Sequence, residues 1–328
     1  MRTAIEGMLE ELLKEYDIRR KGIKILDVPQ GADNLNIPFC CEGGRFVLRC
    51  YKITPIDEIP FELEVISLLH RSGFPTPAAI ETRTGAVLRD TCEGPAALFE
   101  FVDGRPIDAR APGSLEKAVA LLADLHHQTQ DVPLAAARKR SRSDIGRIRR
   151  LESVLHDTEG LAGEQGLREF MRLACETAEA YHKRAGGAGR QLHFGVIHHD
   201  FNPGNILVNQ MDEVVALLDF DEAHESHLIL DVAALLQYWC YDLDAGMNME
   251  AAAEAVAHYH RHRPLTDAEK GSLREAVLLN LAADASDYLA GRVVGGDRDI
   301  SVESCHSYQR FSRLRAAPDW EHRLLERL

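Results

Sequence analysis

The chain has 328 residues, 45% hydrophobic and 27% charged, with a formal net charge of −14 at pH 7. That is enough apolar material for a sizeable core, and the length implies roughly two domains. An acidic chain without basic blocks argues against nucleic acid or an anionic membrane as partner, and no run approaches the roughly 18 apolar residues of a membrane span.

The N-terminal "MRTAIEGMLEELLKEY" carries acids throughout and lacks the apolar centre of a secretory signal. Leu9, Leu12, Leu13 and Tyr16 recur at helical spacing and predict an amphipathic helix. "GIKILDV" and "GRFVLRCYK" read as strands, separated by turn-prone "PQGADNLN" and "EGG". "FELEVISLLHRSGF" reads as a helix stopped by Gly73, with Pro75 and Pro77 beyond. "AAIET", "AVLRD" and "AALFEFV" read as further strands, ending at Asp103–Pro106 in "DGRP".

From there helical patterns dominate. Ser114 is a candidate N-cap for "SLEKAVALLADLHHQT", with Leu115, Ala118, Leu122 and His126 on one face; His126 reads as a core histidine. "VPLAAARKRSRSDIG" (132–146) reads as a polar loop, and helices are expected over 147–186 and 231–290. His258 and His262 in "HYHRHR" are spaced i, i+4, as a metal site could use, but no third ligand is evident nearby, which disfavours one. The seven cysteines include no C-x-x-C, which suits a reduced, cytoplasmic protein. The expected fold class is α+β, with a β-rich N-terminal lobe over 1–103 and a larger, mostly helical C-terminal lobe over 104–328.

The most informative stretch is "VIHHDFNPGNILVNQMDEVVALLDFDEAH", Val196 to His224. Two apolar runs, 206–208 and 214–218, flank the turn-like "NQMDE" and predict a hairpin centred near Asp212. Such a hairpin sets Asn205 and Asp219 across from each other at its open end, with Asp200 five residues before Asn205. An Asn carbonyl and an Asp carboxylate are hard oxygen ligands suited to Mg²⁺ that also takes substrate phosphates, and a further Asp can accept the proton of an attacking hydroxyl. Together they point to phosphoryl transfer, in which the protein chiefly positions groups and neutralises charge.

"HHDFNPGN" and "LDFDEA" resemble the aminoglycoside phosphotransferase family, relatives of choline and homoserine kinases with a protein-kinase-like fold. The family signature is H-G-D-x-x-x-x-N followed by I-D-[FW], and the similarity extends over roughly 25–290. The resemblance implies Asp200 as catalytic base, Asn205 and Asp219 as Mg²⁺ ligands, His198 as a structural loop histidine, and Asp231 as acceptor of hydrogen bonds from the catalytic-loop backbone. His199 stands where the family usually has glycine. The role of Asp221 stays open.

The same resemblance implies a basic residue on a strand for the ATP phosphates, and Arg49 holds that position. Lys52 falls on the opposite face by the period of two. Glu62 is the expected acid partner on the following helix rather than Glu64, since residues two apart do not share a helix face. Gly31 and Asn34 fall where a phosphate-covering loop belongs. "ALFEFVDG" resembles the hinge that holds adenine, through the Glu100 carbonyl and the Val102 N–H.

The expected activity is transfer of the ATP γ-phosphoryl group to a hydroxyl of a small molecule. The "HLILDVAALLQYWCYD" and "LLHRSGFPTP" segments resemble the homoserine-kinase branch, so an amino alcohol or amino-acid hydroxyl comes first and an aminoglycoside second. Only 221–231 separate the second acid of "DFD" from Asp231, too few for a long activation loop, which disfavours a protein kinase acting on Ser or Thr. Neither nucleic acid nor membrane is expected as partner, and the oligomeric state is not legible.

Overall fold

Apolar residues alternate along "LNIPFCC" and "GRFVLRC", and these stretches form strands β2 (Leu35–Cys41) and β3 (Gly44–Cys50) of a five-stranded antiparallel sheet. The computed structural model describes residues 2–26, 34–136, 144–158, 160–186, 192–242, 246–317 and 319–328. The sheet is completed by β1 (Lys24–Ile25), β4 (Leu88–Thr91) and β5 (Gly94–Glu100), in the order β1-β2-β3-β5-β4. In β3 the side chains of Phe46, Leu48 and Cys50 are buried, so the period of two sends Arg49 to the other face. The N-terminal helix α1 (Arg2–Leu12) and the short turn after it bring Leu9, Leu12, Leu13 and Tyr16 onto Ile37, Phe39, Phe46 and Leu48 of the sheet.

Helix α2 (Ile59–Arg71) stops as its sequence requires: Gly73 takes φ +84°, and Phe74 N donates to Leu69 O at 3.0 Å. "AAIET" departs from expectation. Ladder pairing by β4 ends at Ala97 of β5, leaving only Leu98–Glu100 for this segment. It makes two isolated bonds there, Ile80 N to Leu98 O (2.7 Å) and Glu100 N to Ala78 O (3.0 Å). A three-stranded sheet, β6 (Arg105–Pro106), β8 (Ile206–Val208) and β9 (Val214–Leu217), contains the expected hairpin, with Asp212 in its turn at φ +57°.

The chain divides into two compact units. The first comprises Met1–Ile107, Pro133–Arg138 and Asn205–Asp221; the second comprises the rest. The second unit is built from α3 (Ser114–Thr129), α4 (Asp144–His156), α5 (Glu164–Ala185), α6 (Ile229–Trp239), α7 (Met249–His262), α8 (Asp267–Val294), α9 (His306–Ala316) and α10 (Trp320–Leu325). It also has a two-stranded ribbon of β7 (Phe194–Ile197) and β10 (His224–His227). The continuous helical pattern over 147–186 breaks into α4 and α5, because Gly160 and Gly163 adopt φ +73° and +83°. Gly113, at φ +78°, is the N-cap of α3; Ser114 is already the first helical residue and its hydroxyl does not cap.

No described helix is long and apolar enough to cross a membrane. All seven cysteines are free: Cys50, Cys240 and Cys305 are buried, and Cys92 is exposed in the turn between β4 and β5.

Candidate active site

The sequence-predicted residues fall into two sets, one in each unit. In the first unit the set is organised by Arg49. Its side chain is 11% exposed and meets three carboxylates: Asp221 Oδ2 at 2.6 Å and Asp219 Oδ1 at 3.0 Å from Nη2, and Glu62 Oε1 at 3.6 Å from Nε. Burial alone would lower the guanidinium pKa, but Glu62, Asp221 and Asp219 more than offset it and raise it. Glu62, 1% exposed, also accepts a hydrogen bond from the Tyr51 hydroxyl at 3.1 Å. Glu64 turns elsewhere and accepts from the amides of Ala135 (2.8 Å) and Ala136 (2.7 Å). Lys52 pairs with Glu93 at 2.8 Å, away from this cluster.

The two acids of "DFD" differ in setting. Asp221 has a side chain 9% exposed and is engaged by Arg49, by the Asn34 amide and by Thr54 Oγ1 at 3.4 Å. The Asp219 side chain is 42% exposed and its backbone is left-handed, φ +63°, a conformation Asp tolerates better than most residues. Leu218 N donates to Asn205 O at 2.8 Å, closing the hairpin so that Asn205 and Asp219 stand at the same end. One guanidinium against three carboxylates leaves an excess of two negative charges here. With the Asn205 carbonyl and the accessible Asp219 carboxylate as hard oxygen donors, the set fits a divalent cation such as Mg²⁺.

Asn34 is 6% exposed, its amide on Asp221 and its carbonyl accepting from Lys52 N at 2.9 Å; the side chain faces inward onto the "DFD" acid. Gly31 lies outside the described residues. Glu100 ends β5, and Val102 follows it on the way to Asp103, whose carboxylate is paired with Arg45.

In the second unit the organising residue is Asp231, fully buried in the first turn of α6. It accepts from His198 N at 2.7 Å and His199 N at 2.8 Å, and His126 Nε2 lies 3.2 Å from it. Burial pushes the Asp231 carboxyl pKa up, but the His126 hydrogen bond and neighbouring positive charge outweigh that and bring it below the usual range. His126 is held in turn by the Tyr259 hydroxyl at 2.6 Å. It is a core histidine, as its helix face implied, and it also supports the loop.

Asp200 follows directly. Its N–H donates to His198 Nδ1 at 3.3 Å, and its carboxylate accepts from the Asn202 amide at 2.9 Å and from the Tyr238 hydroxyl. Trp239 Nε1 donates to Phe201 O at 2.8 Å, so the end of α6 holds the loop at two successive residues. A loop fixed this way presents Asp200 as an oriented carboxylate, the arrangement a general base requires. Sequence reasoning did not single out Tyr238, Trp239 or the supporting role of His126. "QYW" carried a weak signal, as polar-tipped aromatics at the end of an apolar helix.

His258 lies with Glu116 and Glu254, their ligand atoms within 4.8 Å of one another. His262 is not part of that group; its backbone carbonyl lies 3.1 Å from His127 Nε2.

Comparison with known proteins agrees with this chemistry. The model of the phosphotransferase enzyme family (APH) matches residues 24–265. A homoserine kinase of Nitrobacter winogradskyi is 30% identical over 288 residues, covering 86% of this chain and 84% of that protein. A homoserine kinase of Caulobacter sp. strain K31 is 29% identical, covering 81% and 80%. Among solved structures, amicoumacin kinase hAmiN in complex with AMP-PNP, Ca²⁺ and Ami superposes with a TM-score of 0.68 at 15% identity, covering 98% of this chain and 96% of that one. A microcompartment-associated aminopropanol kinase gives 0.63 at 19% identity, covering 97% and 95%. These likenesses establish the protein-kinase-like fold.

Proposed function

Because the chain belongs to the APH phosphotransferase family and is a small-molecule kinase, we propose that it transfers the γ-phosphoryl group of ATP to the hydroxyl of an amino acid or amino alcohol, homoserine first. The observation that carries the reading is Arg49, a buried guanidinium held by three carboxylates, the accessible Asp219 among them. A fixed cation and an oxygen-donor set with excess negative charge form a receptor for a metal–polyphosphate, whose charge they complement.

In this reading Arg49 binds ATP phosphate oxygens, and Glu62 and Asp221 fix its fork. Asn205 and Asp219 hold Mg²⁺, which neutralises charge on the phosphates when bound. Glu100 and Val102 offer adenine their backbone carbonyl and N–H, and Gly31 belongs to the segment over the phosphates. Asn34 acts through Asp221. Asp200 accepts the proton of the acceptor hydroxyl as its oxygen attacks phosphorus, on a loop held by His198 and Asp231. The homoserine assignment rests on relatives at 29–30% identity over more than four fifths of this chain.

The test is ADP release with ATP and Mg²⁺ across a panel of homoserine, amino alcohols, aminoglycosides and a serine peptide, with mass spectrometry of the product. The expected result is highest kcat/KM for homoserine and an O-phosphorylated product. Turnover no faster than ATP hydrolysis with every acceptor would overturn the reading.

A further inference from the structure

At position 199 the family signature has glycine, and this chain has histidine in the left-handed conformation that glycine takes freely, φ +65°. Histidine tolerates that region better than most residues, at a cost glycine does not carry. The imidazole of His199 is completely buried, with Nε2 3.1 Å from Oδ1 of Asp144 at the start of α4, whose side chain is 3% exposed. From the other side, the His199 N–H is fixed by Asp231. The residue before Asp200 is thus pinned twice, through backbone and side chain.

We propose that His199 is a positioning residue for the phosphoryl transfer: its imidazole, locked onto Asp144, fixes the backbone turn that presents Asp200. The claim about catalysis rests on the function proposed above; the claim about the loop does not.

The surroundings support an ionic clamp. Arg147 of α4 is paired with Glu222, and His224 of β10 meets the His199 ring edge-on at 5.1 Å. Asp231 faces it from α6, and Tyr181 of α5 lies close enough to Asp144 to feel its charge. Burial alone would lower the His199 pKa, yet Asp144 outweighs burial and raises it, while the imidazolium holds Asp144 below the usual carboxylate range. His224 is pushed down to about 4, first by burial and then by its neighbour His199. His199 Nδ1 and Asp144 Oδ2 have no hydrogen-bond partner among the described residues. The pair is therefore held by one contact, and a single substitution cuts it.

His199→Gly removes the anchor on a backbone conformation that glycine accepts, and Asp144→Asn, which leaves the imidazole in place, separates loss of the anchor from loss of buried packing. Amide hydrogen exchange on the ligand-free protein is expected to quicken at least tenfold for residues 198–202, with α5 and α8 unchanged. In steady-state kinetics kcat should fall by about 10- to 100-fold, with KM for ATP within about twofold, since a misplaced catalytic group slows the chemical step without weakening nucleotide binding. Asp144→Asn should repeat both effects, and the double variant should be no slower than the worse single one, as expected of a pair acting as a unit. Unchanged exchange would overturn the clamp. Faster exchange with wild-type kcat would overturn the positioning role. A wild type that phosphorylates no acceptor would defeat the proposed function, while the exchange measurement would still decide whether His199 holds the loop.

Discussion

Asp231→Asn tests the support of the catalytic loop most directly. The substitution keeps the shape of the side chain and removes its charge. In the native protein one oxygen accepts from His199 N, and the other accepts from His198 N with His126 nearby. An amide offers a single acceptor, and its NH2 group must face one of those donors. One charge-assisted hydrogen bond, about 1.5–3 kcal/mol, is lost, and a buried N–H without a partner adds about 1–3 kcal/mol. The sum, about 2.5–6 kcal/mol, brackets the roughly 3–5 kcal/mol that cutting a buried ionic contact costs. For a unit of this size 1 kcal/mol shifts Tm by about 2–4 °C, so the fall should be about 5–24 °C. Thermal unfolding followed by circular dichroism at pH 7.5 measures it. The acid side gives a second reading. The native Asp231 pKa lies below its unfolded value, so its stabilisation is present above that unfolded value and lost as pH falls through the native one. The wild type should lose this increment below about pH 4, and the variant should have none to lose. A Tm within about 1 °C of wild type at pH 7.5 would refute the reasoning, because three donors cannot surrender a buried carboxylate at no cost.

Asp200→Asn should lower kcat by roughly 10²- to 10⁴-fold with nucleotide affinity nearly unchanged, read by single-turnover kinetics and a nucleotide titration; loss of ATP binding with retained chemistry would make Asp200 a ligand instead of a base. Asp219→Ala should abolish turnover and the Mn²⁺-dependent part of nucleotide binding while circular dichroism stays native; wild-type rates would remove the metal assignment. Arg49→Ala should weaken ATP use and Lys52→Ala should change little, compared through kcat/KM for ATP; the reverse outcome would contradict the buried setting of Arg49. His224, its pKa pushed down to about 4 chiefly by burial, takes no proton in the native state as pH falls from about 6.5 to 4, whereas the unfolded chain does. Stability should therefore decline over that window, and His224→Gln should flatten the decline by up to about 3 kcal/mol in denaturant titrations at successive pH values.

Elements with strong local signals were legible in the sequence. The hairpin of β8 and β9 follows from two apolar runs around "NQMDE", and the end of α2 follows from Gly73. Relations between distant positions were not legible. Nothing local distinguishes Asp219 from Asp221; the distinction arises because Asn34, 187 positions away from Asp221, turns its amide onto that carboxylate and not the other. The pairing of His199 with Asp144 spans 55 positions and ends in "RSDIG", which reads as loop sequence. Serine caps well, yet α3 begins at Ser114 itself, which leaves the N-cap position to Gly113. "AAIET" has strand composition but little strand to pair with. Of 132–146, residues 137–143 lie outside the described part of the chain, and Asp144 opens α4.

The seven free thiols sort themselves for labelling chemistry. Burial raises the pKa of Cys50 to about 11 and that of Cys240 to about 12, so neither presents a thiolate near neutrality, and Cys175 and Cys305 are shifted upward too. Cys92 is the exposed member, in the turn whose next residue, Glu93, holds Lys52. Cys92 is thus the most accessible target for a maleimide dye, in a turn whose Glu93 is salt-bridged to Lys52, two residues beyond the Arg49 strand. A reporter can be installed there once the part-exposed Cys40 and Cys41 of β2 are replaced.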